Sequence, residues 1–151
     1  MEFLFSDESN LFHVDFQRMQ TALERVFYDA GKTEGAIELV VLDPEPMRAV
    51  NVQFLGHDYA TDVLAFRLDD ADASERLDAT IAICAEVAAE LAPKYRWSRE
   101  NELLLYAVHG ALHLVGYDDH TPEGAVVMRA KEREYLESVG VDASRYREGE
   151  E

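Results

Sequence analysis

Leu103-Leu104-Leu105-Tyr106-Ala107-Val108-His109-Gly110-Ala111-Leu112-His113-Leu114-Val115-Gly116-Tyr117-Asp118-Asp119-His120 is apolar almost without a break as far as Val115. A helix over that run has no polar face, and such a helix is one enclosed by other elements. It is therefore expected as the central helix of the domain, capped by Ser98, with Glu100 and Glu102 near its positive end. One helical turn is about 3.6 residues, so His109 and His113 project from one face, where two imidazoles can grip one cation. Gly116 is expected to end the helix in a left-handed turn, because it alone carries no Cβ penalty there. The chain then brings Asp118, Asp119 and His120 back toward the same end, within reach as a third ligand.

Three protein ligands and an open position is the arrangement of catalytic zinc. Imidazoles at this spacing suit Zn²⁺, although ligand type alone does not separate it from Ni²⁺, Cu²⁺ or Fe²⁺. With water in the open position, zinc brings that water's pKa to about 7 and polarises a phosphoryl or carbonyl oxygen, so hydrolysis is the natural reaction class. In the metalloprotease motif H-E-x-x-H a glutamate follows the first histidine, whereas this chain has Gly110, which argues against a zincin protease. Gly110 in mid-helix costs ~1 kcal/mol relative to alanine, so close approach of another helix or of the substrate is expected there.

The rest of the chain reads as one domain around that helix. Its 151 residues, 48% hydrophobic, suffice for a single core. A net charge of -17 excludes binding nucleic acid by bulk attraction, so any RNA must meet a local basic patch, for which Lys94, Arg96 and Arg99 are the candidates. The acidic cluster Asp69-Asp70-Ala71-Asp72 and the tail Glu148 to Glu151 read as solvated segments. Cys84 is the only cysteine, which fits a reducing compartment and leaves no cysteine zinc motif. Met1 to Phe5 is too short for a signal peptide or membrane span, so the expected location is the cytoplasm.

In order, a short strand over 2–6 precedes a helix that Asp15 caps and Gly31 ends, with Phe16, Met19, Leu23, Val26 and Phe27 at three- and four-residue steps. Ala36 to Leu42 reads as a buried strand, and Asp43-Pro44 as the cap and first residue of a short helix running to about Phe54. Thr61 to Phe66 is extended and joins, through an acidic hairpin-type connection, a strand at about Ala79 to Ile83. Helices follow at Glu86 to Leu91, before Pro93, and at Thr121-Pro122-Glu123 onward, with Gly140 past the end. The order β-α-β-α-β-β-α-α-α implies an α+β fold of one mixed sheet with helices packed on it.

At the histidine helix the chain resembles the YbeY-type endoribonucleases, bacterial rRNA maturation factors whose signature runs H-G-x-L-H-L-x-G-Y-D-H. His109 to Asp118 matches it without a gap. The likeness extends to Asn51, Gly56, Thr61-Asp62-Val63-Leu64-Ala65-Phe66, Ile81-Ala82-Ile83-Cys84, Met128 and Glu132. It implies a zinc-dependent, single-strand-specific endoribonuclease that processes the 3′ end of small-subunit ribosomal RNA and takes part in ribosome quality control, with the small ribosomal subunit as partner. It also implies a third histidine ligand where this chain, counted without a gap, has Asp119; His120 reaches the same role if the loop shifts by one residue. Ligand preference favours His120, and the other side chain then becomes a partner for a ligating imidazole.

Two further departures stand out. Leu55 occupies the segment where the family tends to carry a phosphate-binding arginine, with Arg67 as a stand-in or as a solvated edge residue, and Ala79-Thr80 replaces the usual Gly-Asp. Two other functions share the donor set: a metal hydrolase of another phosphoester or amide, and a non-enzymatic ribosome-associated module with a closed structural zinc site.

Overall fold

The computed structural model describes residues 1–69, 74–144 and 146, and in it the expected elements follow one another in the expected order. The tail from Glu148 to Glu151, and Asp70 to Asp72 of the acidic cluster, lie outside the described residues. The strands are β1 (Glu2–Asp7), β2 (Ala36–Leu42), β3 (Val63–Arg67) and β4 (Ala79–Cys84). The helices are α1 (Phe16–Asp29), α2 (Pro44–Leu55), α3 (Ala85–Leu91), α4 (Arg99–Leu114) and α5 (Pro122–Ser138), with a 3-10 turn at Ala92–Tyr95.

The strands form one mixed sheet in the order β1-β2-β4-β3, with β1, β2 and β4 parallel and β3 antiparallel to β4, the expected hairpin pairing. Leu39 lies opposite Ile81, and Val41 opposite Ile83. Side chains alternate across a strand, so this register sends those four to one face, where α1, α4 and α5 complete the main core. Leu42, Ala82 and Cys84 fall on the other face with Met47 of α2. This is an α+β domain with helices on both sides of the sheet. Among the described residues no helix is long and apolar enough to cross a membrane.

α4 is the central helix, packed against α1, α3, α5, β3 and β4. The Ser98 hydroxyl accepts the Asn101 N–H at 3.0 Å, which satisfies one of the unpaired donors at its start. Glu100 and Glu102 occupy the first turn as expected, but Glu102 is buried and accepts the Trp97 indole N–H at 2.9 Å. The close approach expected at Gly110 is made by the sheet rather than by a helix or substrate. A Cβ at Gly110 would stand 3.1 Å from Ile81 Cγ2 and 3.2 Å from Val63 Cγ2. Asp43 sits at the N-cap of α2 without a side-chain capping bond, leaving Pro44 as the working start signal.

Candidate metal centre

The site is built at the C-terminal end of α4. Gly116 has φ +106°, its N–H donates to the His113 carbonyl at 3.1 Å, and the Tyr117 N–H donates to the Leu112 carbonyl at 3.1 Å. That paired pattern satisfies carbonyls the helix leaves open and turns the chain back. Five residues beyond Gly116, the Thr121 hydroxyl accepts the Gly124 N–H at 3.0 Å and starts α5. The intervening loop is therefore short and pinned at both ends, and Asp118 Oδ1 accepts the His120 N–H at 3.1 Å within it.

His109 and His113 occupy successive turns of α4, the first partly buried and the second exposed. His109 Nδ1 lies 3.1 Å from Glu132 Oε1 of α5. Glu132 is only 1% exposed, and its other oxygen accepts the Tyr146 hydroxyl. An imidazole donating Nδ1–H to a buried carboxylate keeps the lone pair of Nε2 free, the arrangement found behind many metal-bound histidines. The partner of the His109 ring is thus Glu132 of α5.

Charge gathers at the same place. Burial works to lower the His109 pKa, but the hydrogen bond and charge of Glu132, with the charges of Asp119 and Asp62, outweigh it and leave the ring's pKa raised. Asp62, at the entry to β3, accepts the Val63 N–H at 2.8 Å and the Thr61 hydroxyl at 3.2 Å. Neither Asp62 nor Glu132 could be placed beside His109 by spacing, since both come from other elements. The signal available was that each falls in a segment carrying the family likeness.

Among the described residues, no three His, Cys, Asp or Glu side chains are gathered closely enough to hold a metal as they stand. The donors fit one in kind: two imidazoles one turn apart, the first oriented by a carboxylate, with further acids around it. Asp119 and His120 are both exposed, and the charge of Asp119 helps to raise the His109 pKa.

The basic residues serve elsewhere. Lys94, Arg96 and Arg99 lie at the other end of α4, with Arg99 about 15 Å along the axis from His109 at the helical rise. Arg99 pairs with Glu100 at 3.5 Å and lies 4.7 Å over the Phe12 ring. Arg67 is not simply solvated, because its guanidinium pairs with Asp69 at 3.1 Å. Leu55 is exposed at the end of α2. A cleft of about 920 Å³ between α1, α5 and the end of α4 is lined by Phe27, Leu112, Tyr117 and Tyr135, and neither His109 nor His113 reaches it. Size alone does not mark this site, whose chemistry lies in the histidines and acids.

The α+β domain around this histidine-bearing central helix has a fold that recurs in known proteins. The family model described as Endoribonuclease YbeY matches residues 5–140. A relative of that name from Salinibacter ruber is 36% identical over 132 residues, covering 83% of this chain and 84% of its own. Another from Chlorobium limicola is 38% identical over 118 residues, covering 76% and 80%. A third, from a Sulfurovum species, is 35% identical over 142 residues, covering 91% of each. The solution structure of a Thermotoga maritima protein shares the fold, with a TM-score of 0.62 at 24% identity over 92% of this chain and 89% of that one. The chain belongs to the Endoribonuclease YbeY family.

Proposed function

We propose that this protein is a metal-dependent endoribonuclease that cuts single-stranded RNA, acts in the cytoplasm in maturing the 3′ end of small-subunit ribosomal RNA, and serves ribosome quality control. His109 and His113 would hold one Zn²⁺, with a third donor from the loop after Gly116. The observation that carries this reading is the pair His109 Nδ1 and Glu132 Oε1, 3.1 Å apart, which engages one ring nitrogen and leaves the other for a metal, with His113 one turn further along α4. For the third donor, the ungapped count of the family signature favours Asp119 over His120.

A bound divalent cation supplies Lewis acidity toward the phosphodiester. The chain's own groups explain why RNA needs it. Asp62, Asp119 and Glu132 make the surroundings of His109 negative, and the protein as a whole carries -17. A phosphate is repelled from such a place until a cation offsets the charge. Glu132 holds the ring still, and Asp62, whose Oδ1 accepts the Val63 N–H and the Thr61 hydroxyl, adds its charge to the field at His109.

The test is cleavage of a single-stranded RNA by zinc-loaded and chelator-treated protein, with His113→Ala, Asp119→Ala and His120→Ala beside the wild type. Cleavage is expected from the loaded wild type alone among the wild-type preparations, lost in His113→Ala and Asp119→Ala and retained in His120→Ala. RNA left intact while a generic phosphodiester or peptide is turned over would reject the ribonuclease reading. Loss of His120→Ala activity in place of Asp119→Ala would reassign the third donor.

A further inference from the structure

We infer that Tyr146 is a positioning residue for this centre: its hydroxyl anchors the Glu132 carboxylate, which in turn holds His109 with Nδ1 protonated and Nε2 free. The consequence for metal affinity rests on the proposed role of His109, while the hydrogen-bond chain stands by itself.

A buried carboxylate is costly unless its oxygens have donors. Glu132 is 1% exposed and has one donor on each oxygen, the His109 ring at 3.1 Å and the Tyr146 hydroxyl. With both oxygens engaged the carboxylate does not rotate away from the histidine. Tyr146 is itself held. It is 3% exposed, its ring lies 5.8 Å from that of Trp97, and the Trp97 N–H is tied to Glu102 at 2.9 Å. Val141 and Ala143 are buried in the main core, and the Tyr146 N–H closes a turn onto the Ala143 carbonyl at 3.1 Å. Val141, Ala143 and Tyr146 lie past residue 140, where the family model's match ends, so a segment beyond the matched region reaches back to brace the histidine within it.

Removing the hydroxyl leaves one Glu132 oxygen buried without that donor. The carboxylate is then free to turn away from His109 Nδ1, so the ring is no longer held in its Nδ1–H form and populates the Nε2–H form, which has no lone pair on Nε2 for a metal. The experiment compares metal-free wild type, Tyr146→Phe and Glu132→Gln by ring ¹⁵N shifts of His109, then titrates each with Zn²⁺ alone against a competing chelator, with thermal melting as the check on folding. At a pH above the ring's pKa, the wild type is expected to show the Nδ1–H form and an exchange-protected Tyr146 hydroxyl proton. Tyr146→Phe is expected to populate the Nε2–H form and to bind Zn²⁺ about tenfold more weakly. A wild type lacking the protected hydroxyl proton overturns the inference, as does a Tyr146→Phe protein that keeps both tautomer and affinity, even if it melts lower. A tautomer change in a protein whose wild type binds no Zn²⁺ upholds Tyr146 and rejects the metal centre instead.

Discussion

At the scale of single residues, His109 carries the densest set of interactions at the site. Its pKa is raised above the ordinary value near 6.5, because burial, which opposes charge, is outweighed by Glu132, Asp119 and Asp62. A pKa raised by folding means that the protonated ring stabilises the folded state. That stabilisation is complete below the unfolded pKa, about 6.5, and is lost as pH rises through the folded value. In chelator-treated protein, the melting temperature of the wild type relative to His109→Gln is therefore expected to fall as pH rises above about 6.5. A difference that stays flat over that rise would show that the acids do not act on the ring. The residue types were legible in the sequence: two histidines at helical spacing, an acidic loop and a stopping glycine. Their partners were not. Glu132 stands 23 residues from His109 and reaches it only because α5 packs back on α4, an arrangement no local pattern encodes.

At the scale of elements, α4 was legible because it lacks a polar face, and its central place follows from that alone. Its ends were legible too, since Ser98 caps the start and Gly116 closes the end with the paired bonds such a glycine permits. The occupant of the space beside Gly110 was not, because a missing side chain says that something comes close and not what it is. The sheet fills that space through Ile81 and Val63. Gly110→Val is expected to force α4 off the sheet and to lower stability by roughly 2 kcal/mol, despite its better helix propensity. Urea unfolding followed by circular dichroism reads this as a lower midpoint at similar slope. An unchanged or higher midpoint would mean that the helix and sheet are not in contact there.

At the scale of the whole molecule, the mixed sheet does two things for the site. Its main face buries one side of α4 and leaves the end bearing His113 exposed, and β3 brings Asp62 to the neighbourhood of His109. Buried-strand composition and turn signals foretold the strands, and the hairpin-type connection between β3 and β4 foretold the antiparallel edge. Composition also foretold the difficulty a ribonuclease of charge -17 must overcome, and the basic stretch singled out for it lies at the far end of α4. The account therefore stands on a cation at the histidine end. Metal content after loading with Zn²⁺ and exhaustive dialysis tests this most directly. One ion per chain in the wild type and none in His109→Ala or His113→Ala is the predicted result; a wild type without metal, or variants that keep it, would contradict the account.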